Sequence, residues 1–265
     1  MHLSVITISK DDPEGLGQTL TSTQAVAAIE HIVVLGGDRP EPSLAVAKPF
    51  DCITIQQRDQ GISAAFNLGL AKATGLGVMF LNGGDVLLEP GLIAHALDCL
   101  TKRPDLDILL YDAIFDDGIA GPYTYRSQRC YGPKLNRMGL GMPGSHQAMI
   151  VRRSCFDRVG LFSPDYRVAM DYDWLCRWHK TSDSSRRACF VDFPPVVEVD
   201  GKGVSISREP LCLYECFLAL RRNGLFKGRY AADYLNRLLR FGTRHTMMKL
   251  RLNGLVAEIK RWKHR

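Results

Sequence analysis

The sequence contains no Cys-x-x-Cys pair, no G-x-G-x-x-G fingerprint behind its first apolar run, and no P-loop of the form G-x-x-x-x-G-K-[ST]. The first absence argues against structural zinc. Eight cysteines stand singly at 52, 99, 130, 155, 176, 189, 212 and 216, as reduced core residues of a cytosolic protein do. The other two absences remove the usual cradles for dinucleotides and nucleoside triphosphates. No apolar run reaches the ~18 residues that span a bilayer. The N-terminal apolar run meets Asp11-Asp12 at once, which does not read as a signal peptide. Internal repeats and low-complexity tracts are missing too.

Acidic charge is scarce at one end of the chain. The net charge is +6, yet residues 219–265 hold 13 Lys/Arg against two acids, net +11, and the preceding 218 residues are net −5. A mildly acidic body with a strongly basic tail suggests an anionic surface as partner, lipid headgroups or nucleic acid. The body offers no recognisable nucleic-acid motif, so no nucleic-acid partner is expected.

What is present is an alternation of strands and helices. Leu3–Ile8, His31–Leu35, Cys52–Ile55, Val78–Leu81 and Asp107–Tyr111 read as strands. Helical spacing lies between them, over Leu16–Ala28, from Ile62 to Ala73 and from Ile93 to Leu100. Continuous apolar strands separated by helices predict an α/β fold with a mainly parallel sheet covered on both faces. Ligands in such sheets bind beyond the carboxyl ends of the strands. Four polar clusters follow strands here: "SKDD", "GGD", "RDQG" and "NGGD". They predict a ligand cleft along that edge. Residues 116–145, rich in Gly, Tyr and Arg, read as a loop over the cleft. Met149–Val151 and Val196–Val199 read as further strands, Met170–His179 as a helix, and the chain beyond "DGKGVSISREP" as helical and basic.

Three clusters have residue types that chemistry would use. In "FLNGGD", Asp85 suits a hard divalent cation, Mg²⁺ or Mn²⁺, bridging carboxylate and phosphate; a plain turn explains the same residues. The glycines there would let a diphosphate approach the backbone. In "MDYDWLCRWHK", Asp173 has Arg177 at i+4 to pair with, whereas Asp171 has no basic residue at i+3 or i+4. Asp171 is therefore the better general base, although a helix N-terminal aspartate facing the dipole is the structural alternative. His146 precedes a strand, and a lone histidine there is more often structural. Trp174, Trp178 and Trp262 read as packing residues.

Taken in order, "SVITISKDDPEGLGQTLTS", "RDQGISAAFNLGLAKATG", "FLNGGD", "SHQAMIVRRSCFDRVGLFSPDYRVAMDYDWLCR" and "GKGVSISRE" resemble the blocks of the inverting family 2 glycosyltransferases with the GT-A fold. The likeness is to bacterial enzymes of capsule, exopolysaccharide and colanic acid assembly, and runs from about residue 3 to 216. It implies a GT-A catalytic domain over 1–205, with a nucleotide-sugar half at 1–112 and an acceptor half at 113–205. A helical basic region would follow at 206–265. It also implies that Thr7, Ser9 and Asp11 contact the nucleoside, that Arg58, Asp59 and Asn67 line the nucleotide-sugar site, and that Asp85 holds the metal on the diphosphate. Asn82 and Gly84 would lie against the diphosphate, Asp171 would be the base, and His146 would sit near the diphosphate or the acceptor. Where the family pattern V-D-G-G-S has Asp, this chain has Leu35, and Asp38 follows the glycines as the candidate base contact. Ala64 and Leu68 replace polar residues of the family's next helix.

The implied activity is transfer of a sugar from a nucleotide diphosphate sugar, a UDP-sugar, to a hydroxyl of a glycan or lipid-linked glycan in surface polysaccharide synthesis. A sugar-phosphate nucleotidyltransferase is the rival enzyme class, but "SKDDPEG" is not its Gly-rich basic loop. A non-catalytic nucleotide-sugar-binding protein is the other, and Asp85 and Asp171 argue against it. In the tail, Met248, Leu252, Leu255, Ile259 and Trp262 form a helical stripe flanked by Lys and Arg. It suits an anionic membrane surface, hence the cytoplasmic face of the cell membrane; packing on the body or on a second copy, as a homodimer, are the alternatives.

Overall fold

The computed structural model of the chain describes residues 1–58, 61–115, 121–126, 137–181, 187–201 and 203–250, with 254, 256 and 258. Its first half alternates strictly: β1 (Leu3–Lys10), α1 (Pro13–Thr23), β2 (Ile29–Gly36), α2 (Glu41–Ala47), β3 (Ile53–Gln56), α3 (Ile62–Leu70) and β4 (Gly77–Asn82). The middle comprises β5 (Val86–Leu87), α4 (Gly91–Lys102), β6 (Ile108–Leu110), β7 (Ala113–Phe115), β8 (Tyr123–Tyr125), β9 (Met149–Arg152), α5 (Ser154–Val159) and α6 (Met170–His179). Then come β10 (Ala188–Phe190), β11 (Val197–Val199), α7 (Val204–Ser207), α8 (Glu209–Arg222) and α9 (Gly228–Lys249).

A seven-stranded sheet in the order β10-β6-β9-β4-β1-β2-β3 forms the centre. All its pairings are parallel except those of β9, which runs antiparallel to β4 and β6. The sheet is thus mixed and mainly parallel, with helices on both faces, as the sequence predicts. Successive strand residues point to opposite faces, and over the central strands both faces are covered, so β1, β2 and β4 carry long apolar runs, whereas edge strand β3 is mostly exposed. Ile6, Ile32, Val34 and Phe80 pack with Phe66 of α3, Phe156 of α5 and Trp174 of α6. Val5, Met79 and Leu81 pack with Leu92, Ala96 and Leu100 of α4. Val33 and Leu35 are closed over by Leu16 and Leu20 of α1 and Ala47 of α2. A second sheet, β5-β11-β7-β8, stands beside the end of β4.

Several boundaries differ from the sequence reading for identifiable reasons. The first helix spans Pro13–Thr23 rather than Leu16–Ala28, because the Asp12 carboxylate caps it by accepting from Gly15 N at 2.9 Å. Ala28 takes a φ of 60° beyond its end. Within 116–145, Tyr123–Tyr125 is a strand paired antiparallel with β7, and Met138–Leu140 is a 3-10 turn under α9. The strands β5, β7, β8 and β10 were not anticipated, since two or three residues carry no periodic signal.

Trp174 and Trp178 are buried packing residues; Trp178 donates its indole N–H to Asp107 at 2.9 Å and Trp174 to Gly160 O at 2.8 Å. Asp107 also accepts from Arg158 at 2.7 Å and from Arg187 at 2.6 and 2.8 Å, which holds the root of β6. The basic C-terminal helix α9 is docked on the body. Arg137 grips Asp233 of α9 through two hydrogen bonds of 2.8 and 2.7 Å, and Gly139 leaves no room for a Cβ against the Tyr230 carbonyl. Of the predicted apolar stripe, Met248 is described and exposed; Leu252, Leu255, Ile259 and Trp262 lie outside the described residues. Val256 is buried. Among the described residues no helix is long and apolar enough to cross a membrane.

Candidate active site

A cleft of about 2010 Å³ opens at the carboxyl ends of β1, β2 and β4 and extends past the start of α6 to α9. Its position follows from the topology: each parallel strand ends there and delivers its loop to one edge. Ser9, Asn82, Asp85, His146 and Asp171, from four separate segments, all line it.

The turn after β4 is built around Asp85. Its Oδ2 accepts from Asn82 N at 2.7 Å and Asn82 Nδ2 at 3.2 Å, and its Oδ1 accepts from Asp200 N at 3.1 Å. The hydroxyl of Thr19 on α1 donates to Asp85 O at 2.7 Å and accepts from Gly84 N at 3.1 Å, fastening the turn to α1. Burial pushes the Asp85 carboxyl up to about 7, despite the N–H groups that favour its ionised form, and the charge of Asp200 adds to the rise.

The glycines of this turn do not face open space. A Cβ on Gly84, whose φ is 99°, would meet Asp200 Oδ2 at 3.1 Å, and one on Gly83 would meet Ser9 Oγ at 3.1 Å. Room beside Gly84 is therefore taken by the carboxylate of Asp200, not kept for a diphosphate. Asp200, at the end of β11, is a site residue the sequence reading missed. Its signal was available, since "DGKG" follows a strand as "SKDD" and "NGGD" do.

This pair bears on the expected metal. The carboxylates of Asp85 and Asp200 offer oxygen ligands of the kind Mg²⁺ and Mn²⁺ prefer, and a cation held there would offset the buried negative charge of Asp85. Among the described residues no group of three or more His, Cys, Asp or Glu side chains could hold a metal. A cation held by these two carboxylates would take its remaining ligands from substrate phosphate and water.

Asp171 stands in the first turn of α6, with Oδ1 accepting from Tyr172 N at 2.7 Å. It forms no ion pair among the described residues, whereas Asp173 is held by Arg177 at 2.9 Å and by Asn223 at 3.2 Å. Burial raises the Asp171 carboxyl, and His146 opposes that rise. His146 stacks on Phe80 with centroids 4.9 Å apart, and burial lowers its pKa. Its Nε2 has no hydrogen-bond partner among the described residues. A carboxylate poised upward beside a neutral imidazole suits proton transfer.

Other expected contacts lie elsewhere. Thr7 is fully buried, with its hydroxyl 2.8 Å from His31 Nε2, because odd-numbered β1 residues face away from α3. Asn67 points away from the cleft and clamps the chain: its Nδ2 donates to Phe162 O at 2.9 Å, and its Oδ1 accepts from Phe162 N at 3.0 Å. Gly84 lies behind Asp200. Asp11, over Gly37, and Asp38 and Arg58, both exposed, sit outside the cleft lining, where Lys10, Asp12 and Gln57 stand instead. Asp59 lies outside the described residues.

The far wall, from α8 and α9, is basic: Arg208, Arg237, Arg240 and Arg244 line it. Arg244 pairs with Glu209, while Arg208 and Arg240 enter no ion pair among the described residues. Sequence reasoning registered this charge only as a tail.

Comparison with known proteins agrees with the fold. The chain is 28% identical over 237 residues, 86% of its length and 85% of the relative's, to an uncharacterised glycosyltransferase of Mycobacterium tuberculosis. The crystal structure of S. aureus TarS 1-349 in complex with UDP-GlcNAc matches with a TM-score of 0.69 at 17% identity, covering 91% of this chain and 73% of that one. The match spans 43% of the longer TarS chain. The mannosyltransferase PcManGT from Pyrobaculum calidifontis, in complex with GDP-Man and Mn²⁺, matches with a TM-score of 0.62 at 15% identity, covering 88% and 69%. The model of glycosyl transferase family 2 matches residues 4–160, and the chain belongs to that family.

Proposed function

We propose that the protein is an inverting, metal-dependent glycosyltransferase that moves a sugar from a UDP-sugar to a hydroxyl of a glycan or lipid-linked glycan in bacterial surface polysaccharide synthesis. The observation that carries this reading is the placement of Asp171 and His146 in one cleft with Asp85 and Asp200. In the proposed reaction Asp171 takes the proton of the acceptor hydroxyl as that oxygen bonds to the anomeric carbon. The bond from that carbon to the phosphate oxygen breaks, the nucleoside diphosphate leaves, and the configuration inverts. Asp85 and Asp200 would hold Mn²⁺ or Mg²⁺, which when bound offsets negative charge on the departing diphosphate. Ser9, Asn82 and the loops after β1 to β3 bind the donor. The TarS and PcManGT complexes, with UDP-GlcNAc and with GDP-Man and Mn²⁺, support a nucleotide-sugar donor and a divalent cation.

The arginine wall beyond Asp171 supports a phosphate-bearing acceptor such as a lipid-linked glycan, since guanidinium groups recognise phosphate by paired hydrogen bonds. Such an acceptor would place the enzyme at the cytoplasmic face of the membrane, with the basic tail nearest the anionic lipid. The testing experiment measures transfer from radiolabelled nucleotide sugars to lipid extracts by the wild type and by Asp171→Asn. The expected result is transfer by the wild type with release of nucleoside diphosphate, and its loss in the variant without loss of nucleotide binding. Full transfer by Asp171→Asn overturns the reading.

A further inference from the structure

We propose that Glu215, on α8 and 46 residues from the backbone it grips, is the positioning residue that sets the base Asp171 in the cleft. The inference rests on the reading of Asp171 as the acceptor base.

The start of α6 has no cap of its own. Ala169 holds the N-cap position and cannot accept a hydrogen bond through its side chain. The leading N–H groups of a helix need acceptors, above all where they are buried. Asp171 itself accepts from Tyr172 N in the first turn, and Glu215, from a distant helix, takes up the amides of the segment that leads into α6. Its Oε1 accepts from Arg167 N at 2.9 Å, and its Oε2 accepts from Val168 N and Ala169 N, both at 2.8 Å. The side chain is 4% exposed and forms no ion pair among the described residues, so these N–H groups are the counterpart of its carboxylate. A buried carboxylate on three consecutive amides fixes the approach of the chain to α6, and Asp171 stands two residues beyond the last of them. The same helix holds α6 again at Asn223, which donates to Asp173.

The arrangement acts on charge as well as on position. Asp171 faces His146 from the turn before β9, and Cys212, Cys216 and Glu215 from α8, with Arg237 of α9 beside the two thiols. Of these, Glu215 raises the Asp171 carboxyl and His146 lowers it. The carboxylate of Glu215 also neutralises the helix N-terminus that would otherwise favour ionised Asp171. Both effects make Asp171 a stronger base.

Two substitutions separate reach from charge. Glu215→Gln keeps the length and removes the charge, and Glu215→Asp keeps the charge and shortens the reach. Each is assayed for kcat, for KM of the donor and for the pH dependence of kcat/KM, with nucleotide binding and a thermal melt to establish folding. Glu215→Gln is expected to lose about 10- to 100-fold in kcat with a donor KM near that of the wild type. Its acidic limb moves to lower pH, because Asp171 then stays ionised further into acid. Glu215→Asp is expected to lose kcat with the limb unmoved. A folded Glu215→Gln with wild-type kcat and limb overturns the proposal, as does one that melts earlier with both unchanged. If Glu215→Gln does not fold, a folded Glu215→Asp with wild-type kcat overturns it. Retained transfer by Asp171→Asn instead sinks the base assignment itself, which keeps the two failures distinct.

Discussion

The backbone N–H of Asp200 donates to Asp85 Oδ1 at 3.1 Å, and the Asp200 carboxylate fills the space where Gly84 lacks a Cβ. Two strand ends, those of β4 and β11, are joined through this contact. It turns an isolated aspartate into half of a carboxylate pair at the cleft.

Asp200→Ala is expected to reduce transfer by about 10- to 100-fold and to raise the concentration of Mn²⁺ or Mg²⁺ needed for half-maximal rate. The backbone bond to Asp85 survives this change, so the turn after β4 should keep its form. Titration of divalent cation against initial rate, for wild type and variant, checks the outcome. An unaltered cation dependence would refute the pairing.

Asn67→Ala should lower stability by roughly 2–3 kcal/mol, because it leaves the N–H and C=O of Phe162 without their side-chain partner. The donor KM is expected to stay within about twofold, as the side chain does not line the cleft. Urea melts and donor titrations decide between this clamp and a direct nucleotide contact, which would raise KM first.

His31 makes stability depend on pH. Burial lowers its pKa to about 4, and its nitrogens lie 2.8 Å from the Thr7 hydroxyl and 3.1 Å from that of Thr23. Between the ordinary histidine value of ~6.5 and about 4, the unfolded chain binds a proton that the folded chain does not. Stability therefore falls as pH drops through that window, by about 3 kcal/mol in total from this group. Melting temperatures of wild type and His31→Gln from pH 7 to 4 should show a shallower decline in the variant.

Asp107→Ala removes the acceptor shared by Arg158, Arg187 and Trp178. Breaking a buried ion cluster from one side costs about 3–5 kcal/mol; the lower figure is expected here, because both arginines are partly exposed and can turn to water. Denaturant midpoints should fall accordingly, with donor affinity of the folded protein unchanged.

Much of the fold was legible because its cause is local. Apolar runs of strand length, helical spacing between them and polar strand ends are properties of neighbouring residues. They yielded the mainly parallel sheet and the edge where the cleft opens. That Asp171 lacks the ion pair of Asp173 was legible for a similar reason: no basic residue stands one turn from Asp171 along the chain, whereas Arg177 stands one turn from Asp173. Thr7 and Asn67 were misplaced because each points where its partner, His31 or Phe162, happens to pack, and no spacing records that.

The sequence by itself determined the α/β class, the family and the strand-end loops from which a site is made, since periodicity and short motifs are written in consecutive residues. Only the tertiary structure decided that Asp85 stands beside Asp200, that Glu215 grips the segment leading to Asp171, and that the basic tail begins as a wall of the cleft. These are contacts between segments many residues apart. They exist because the sheet and the packed helices bring polar groups together that burial then obliges to pair.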